Sequence, residues 1–219
     1  ALLRIHDKNG NFISPAEAIP ILEESGLIIP VGKWIIQNAF SMCTECRKYY
    51  PEFRVSINLS YVQILKSPLM MELKQMIECS GISCSGIIVE LTESGYLEGT
   101  PAVRSVWNDM KQLRIQIALD DFGTGYSNLM NISNLEPDIV KLDRGFTLKA
   151  LSRSYEYQLM QYVIEMVHKL NQYVCVEGVE TKEDLEKIKA LGPDLIQGYY
   201  YSKPCSRDEF LKKFFCYSE

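Results

Sequence analysis

Two histidines, His6 and His168, are all that the 219 residues contain. That scarcity argues against a histidine-rich metal centre and against a Ser-His-Asp triad. The seven cysteines are an odd number without the spacing of a disulfide framework, so reduced thiols are expected. Cys43 and Cys46 form a C-x-x-C, but no second pair completes a zinc site. Inside the amphipathic stretch VGKWIIQNAFSMCTECRKYY they read as small core residues one helical turn apart. No apolar run approaches the roughly 18 residues of a membrane span, and no signal-peptide pattern is present. No membrane contact is expected from this segment. No Walker or G-x-G-x-x-G sequence follows the first strand candidate, which leaves a nucleotide fold of that kind without support. With a net charge of −5 the surface has no general attraction for DNA or RNA, so any phosphate must be held by local cations or metals.

What is present is an alternation of two kinds of segment. Short β-rich runs read at 1–5, 53–60, 86–94, 115–121, 138–143, 173–180 and 194–200. Helical patterns fill the intervals at 15–25, 31–49, 61–79, 101–113, 153–170, 182–191 and 206–216. Ser14-Pro15 and Ser206 carry N-terminal capping signals, and Thr181 caps the helix after it. Gly26, Gly81 and Gly192 stand where helices should stop. Strands alternating with helices imply parallel β with crossover helices, and seven strands are one short of a closed eight-stranded barrel. No linker or repeat divides the chain, so residues 1–219 read as one domain. ALLRI is apolar from the first residue and lacks a starting methionine, which reads as the interior of a larger protein.

Polar residues interrupt or end these apolar runs: Arg4, Asn58, Glu90, Asp120 with Asp121, Lys141, Glu177 and Gln197. Burying each charge separately would be very costly. In a parallel barrel the strand C-termini share one face, where such residues converge on one site. Taken singly, several have plainer explanations: Lys141 can neutralise Asp143, Gln197-Gly198 can be a turn, and Asp120-Asp121 can cap a turn. Taken together, the set is mainly hard oxygen donors, suited to Mg²⁺ or Mn²⁺. Two cations would also reconcile the adjacent aspartates, with Asp120 bridging both and Asp121 serving one. Such a pair suits in-line displacement at phosphorus, with Lys141 handling the attacking water and Arg4 a phosphate. Glu93 and Glu180, three residues beyond Glu90 and Glu177, are better placed to hold loops than to bind metal.

ALLR, SPAEAIPILEESGLI, INLS, VELTES, ALDDFGTGYSNL, VKLDR, VEGVET and IQGYYYSKP occur in this order. Together, from residue 1 to about residue 210, they resemble the EAL-domain family of cyclic di-GMP phosphodiesterases. The resemblance implies a modified (β/α)8 TIM barrel of the α/β class, with one antiparallel strand upstream of Ala1. It implies two Mg²⁺ or Mn²⁺ ions and hydrolysis of cyclic di-GMP to the linear dinucleotide. Asn58, Glu90, Asp120, Asp121 and Glu177 match metal ligands, and Lys141, Glu177 and Asp121 the catalytic positions. Arg4, Gln197 and Leu2 match substrate-binding positions, and Glu93 the glutamate that holds the loop after Asp121. The resemblance further implies a homodimer, fused sensory or cyclase-like domains, and a cytoplasmic setting, including the cytoplasmic part of a membrane-bound parent. The family's naming glutamate, another metal ligand, is expected immediately before Ala1. His6-Asp7, Asn128, Val176 and Pro193 depart from frequent family choices without removing a ligand. Two other readings stand beside hydrolysis of the dinucleotide. One is a non-catalytic cyclic di-GMP-binding or protein-interaction module. The other is a barrel glycosidase using Glu90 and Glu177, which leaves Asn58 and the Asp120-Asp121 pair unexplained.

Overall fold

The structure, a computed structural model, describes residues 1–92, 100–124 and 136–215. They group into two compact units, one of residues 1–90, 100–116 and 206–215, the other of residues 91–92, 117–124 and 136–205.

The first unit opens with a two-stranded antiparallel hairpin, β1 (Ile5–His6) and β2 (Phe12–Ile13). Residues 1–4, expected to begin a strand, are not one; only Ile5 of that run is in a strand. Local turn chemistry decides this. Asp7 Oδ1 accepts from the backbone N–H groups of Asn9 and Asn11 at 2.7 and 2.9 Å, so the chain reverses at Asn9-Gly10. Helices α1 (Pro15–Glu24) and α2 (Ile28–Arg47) follow, with Ser14 Oγ accepting from Ala16 N at 3.3 Å. Strand β3 (Val55–Asn58) pairs in parallel with β4 (Ile87–Thr92). Between them the expected 61–79 helix is two, α3 (Tyr61–Lys66) and α4 (Leu69–Ser80), because Pro68 lacks the N–H that a continuous helix needs. Helices α5 (Pro101–Gln112) and, after the second unit, α9 (Arg207–Phe215) complete it. Cys43 and Cys46 are buried in its core, as the C-x-x-C reading expects. Burial pushes both thiols up, Cys46 to about 11, where the neighbouring Cys43 and Glu45 add to the effect.

In the second unit the strands are parallel and in chain order: β5 (Gln116–Phe122), β6 (Ile139–Leu142), β7 (Tyr173–Glu177) and β8 (Leu195–Gln197). Ile117, Leu119, Val140, Leu142, Val174 and Val176 of these strands are fully buried. Two Pro-Asp pairs secure the starts of β6 and β8. Asp138 Oδ2 accepts from Ile117 N and Asp194 Oδ2 from Val174 N, each at 2.8 Å. His168 Nε2 lies 2.9 Å from the same Asp194 oxygen, which gives it the structural role expected of it. Helix α6 (Arg144–Ser152), absent from the sequence reading, starts at Asp143, whose side chain accepts from Gly145 N. Helices α7 (Ser154–Lys169) and α8 (Lys182–Lys189) fall where expected. No helix among the described residues is long and apolar enough to cross a membrane.

Candidate active site

In the first unit Asn58 and Glu90 are direct register partners at the C-terminal ends of β3 and β4. Parallel pairing in register places both on one end of the sheet. Glu90 is buried and accepts a hydrogen bond from Ser56 Oγ, while Asn58 is exposed. Ser56 is a partner that the sequence reading did not single out; its position two residues before Asn58, on the same strand face, was the available signal. The Ala1 nitrogen donates to the Ser56 carbonyl. Leu2 is exposed, and so is Arg4, whose Nη1 donates to the Leu3 carbonyl at 2.9 Å and whose guanidinium lies 6.0 Å from the Phe12 ring centre.

The second unit brings together Asp120, Lys141 and Glu177, from the ends of three successive strands. Lys141 Nζ lies 2.9 Å from Asp120 Oδ1 and 2.7 Å from Glu177 Oε1. Lys141 is 5% exposed and Asp120 9%. Lys141 therefore does not serve to neutralise Asp143, which caps α6 instead. An ammonium so buried must be satisfied by charged partners, and two carboxylates provide this.

The backbone also explains the adjacent aspartates. The β5–β6 register shifts between Leu119 and Phe122, and Asp121 has φ +60°, in the left-handed region. A regular strand would send neighbouring side chains to opposite faces. At this irregularity Asp120 is buried with Lys141, and Asp121 is exposed. Asp tolerates the left-handed region better than most residues. Asp121 N donates back to Asp120 Oδ1 at 3.0 Å, and the chain leaves at Gly123 with φ +103°, where a Cβ would stand 2.8 Å from the Phe146 ring. Gln197 is exposed and in register with Glu177. Glu180 pairs with Arg144 at 2.8 Å, and this pairing raises the Arg144 guanidinium further. Glu93 lies outside the described residues.

Among the described residues no three His, Cys, Asp or Glu side chains are grouped to hold an ion. The chemistry of the donors nevertheless fits a hard divalent cation. In the second unit Asp120 and Glu177 are oxygen donors already sharing one positive charge, with Asp121 beside them; in the first, Glu90 and Asn58 are paired oxygen donors toward the strand ends.

Comparison with known proteins is consistent in kind. The EAL domain family matches residues 1–204. The cyclic di-GMP phosphodiesterase PdeF of Escherichia coli is 32% identical over 203 residues, covering 93% of this chain and 27% of PdeF. The EAL enzyme Bd1971, solved with cAMP and cyclic di-GMP bound, superposes with a TM-score of 0.91 at 30% identity, over 97% of this chain and 58% of that one. PaMucR phosphodiesterase, in complex with c-di-GMP, gives 0.88 at 26% identity, over 96% and 85%. The fold is accordingly α/β, of the modified (β/α)8 barrel class. The chain spans 24–31% of the length of four curated relatives.

Proposed function

Because this chain belongs to the EAL domain family, we propose that it hydrolyses one phosphodiester bond of cyclic di-GMP to the linear dinucleotide. The observation that carries the reading is the Asp120–Lys141–Glu177 chain at three successive strand ends, with Asp120 and Lys141 buried and Glu177 half-buried. Such an arrangement is costly to bury and has no packing purpose that three apolar residues would not serve as well.

Two divalent cations, Mg²⁺ or Mn²⁺, held by Asn58, Glu90, Asp120, Asp121 and Glu177, would supply Lewis acidity toward the phosphoryl oxygens and acidify the attacking water. Lys141 fixes the orientation of Asp120 and Glu177 and offers an N–H to that water. Asp121 and Glu177 accept its hydrogen bonds. As the water oxygen bonds to phosphorus, the P–O bond to the ribose opens in line. A proton from the water ends on the released ribose hydroxyl, and the new terminal phosphate stays on the other nucleoside. In this assignment Arg4 binds a phosphate, Leu2 and Gln197 line the dinucleotide, and Glu93 holds the loop after Asp121.

The same reading makes residues 1–219 a single catalytic domain of a larger, cytoplasm-facing protein that pairs as a homodimer. Fused sensory or cyclase-like domains would control it. The test is Asp120→Asn, assayed for Mn²⁺ binding by calorimetry and for turnover. Both are lost if the assignment holds. A variant with full activity contradicts it. Wild-type protein that binds cyclic di-GMP without turning it over under saturating Mn²⁺ makes the chain a receptor instead.

A further inference from the structure

Successive residues of β3 point to opposite faces of the sheet. Val55 and Ile57 are buried, and Ile57 lines a small apolar void with Ile36 of α2 and Leu73 of α4. Ser56 and Asn58 therefore occupy the other face, turned away from those helices. The register sets Ile88 beside Ser56 and Glu90 beside Asn58. Val89 lines the same apolar void as Ile57, so its neighbour Glu90 shares the face of Ser56 and Asn58. Ser56 thus stands diagonally behind Glu90, two residues before Asn58.

Glu90 is only 8% exposed. A carboxylate so buried needs hydrogen-bond donors to stay ionised. Half-buried Ser56 supplies one across the diagonal, its Oγ donating to Glu90 Oε1. A hydroxyl has one proton to give, and this bond commits it to the carboxylate. In the second unit Asp120 and Glu177 are held by an ammonium, that of Lys141. Ser56 orients Glu90 without adding positive charge, so it does not compete with a cation for the carboxylate.

We propose that Ser56 is a positioning residue for metal binding: its hydroxyl fixes the Glu90 carboxylate so that, with Asn58, it meets a divalent cation at the ends of β3 and β4. Carboxylates that ligate metals are themselves hydrogen-bonded, and loss of such an outer partner costs about 10–100-fold in metal affinity. The inference rests on the metal assignment made above for Glu90 and Asn58, and adds to it the group that holds the ligand in place.

The experiment titrates Mn²⁺ by calorimetry into the 219-residue protein and into Ser56→Ala, Ser56→Thr and Ser56→Cys, with thermal melts in EDTA showing which variants fold. Ser56→Ala should raise the Kd for Mn²⁺ about 10–100-fold. Ser56→Thr, which keeps the hydroxyl, should stay close to wild type. Ser56→Cys fills much the same space with only a weak donor, so it should also bind more weakly, and it carries the test if the alanine variant does not fold. A hydroxyl that served stability alone would lower the melting temperature and leave the Kd unmoved, and that result overturns the proposal. Equal weakening by threonine and alanine in folded proteins overturns it as well. Wild type that binds Mn²⁺ as tightly as Ser56→Ala removes the role of Ser56 and leaves the hydrolytic reading standing. Folded wild type that binds no Mn²⁺ removes the metal assignment itself, and the role of Ser56 with it.

Discussion

Lys141 is the residue on which most depends. Replacing it with methionine leaves the buried Asp120 and the half-buried Glu177 without their shared cation. Breaking a buried pair this way costs about 3–5 kcal/mol. Lys141→Met should therefore melt well below wild type in EDTA and recover part of the difference in Mn²⁺, which replaces the missing charge. Turnover should fall about 10²–10³-fold, as on removal of one preorganised donor. At Asp121 conformation and charge can be separated. Asparagine also tolerates φ +60°, so Asp121→Asn should fold normally and lose activity alone. Cys46 gives a pH signature. Its thiol is held up to about 11 when folded, against about 8.5 in an unfolded chain. Between these values the unfolded state loses its proton first, so the thiol's contribution is intact below the lower value and is lost as pH rises to the upper one. Urea midpoints should decline over that window, and Cys46→Ala should decline less steeply.

At the scale of elements, β8 shows how tightly the second unit is built. A Cβ on Gly198 would stand 2.0 Å from the Val179 carbonyl oxygen and 2.5 Å from its nitrogen. Both are backbone atoms of a fully buried residue and cannot swing away. Gly198→Ala should cost about 1–3 kcal/mol and displace the neighbouring Gln197, weakening substrate binding more than the buried Lys141 chain; denaturation and KM against kcat separate the two. Most elements were legible in the sequence because their apolar period was long or their caps explicit, as with α2 and the Thr181–Asp184 capping box of α8. Those that escaped have physical reasons. The β1–β2 hairpin has only two residues per strand, and its Asn-Gly signal was available but overshadowed by the apolar ALLRI. Helix α6 has Gly145 and Thr147 in its first turn, and its buried residues are only Phe146, Thr147 and Ala150, so its period is faint. Asp143 announced its start, but pairing with Lys141 was the competing explanation. Among the candidate residues, the strand-end rule picked out Asp120, Lys141 and Glu177, which the strands bring into contact. It could not find the register shift around Asp120 and Asp121, since that depends on pairing between strands.

For the whole molecule, metal binding and stability are linked. A ligand that binds only the folded state stabilises it by about 2.7 kcal/mol at one hundred times its Kd. Mn²⁺ should accordingly raise the thermal midpoint of wild type and leave that of Asp120→Asn unmoved. The measurement that addresses the central claim most directly is chromatography of cyclic di-GMP after incubation with wild-type protein, Lys141→Met and Asp120→Asn, in Mn²⁺ and in EDTA. The account predicts linear dinucleotide from wild type in Mn²⁺ alone, and little or none from either variant. Intact cyclic dinucleotide from folded, metal-loaded wild type, or equal product from Lys141→Met, would contradict it.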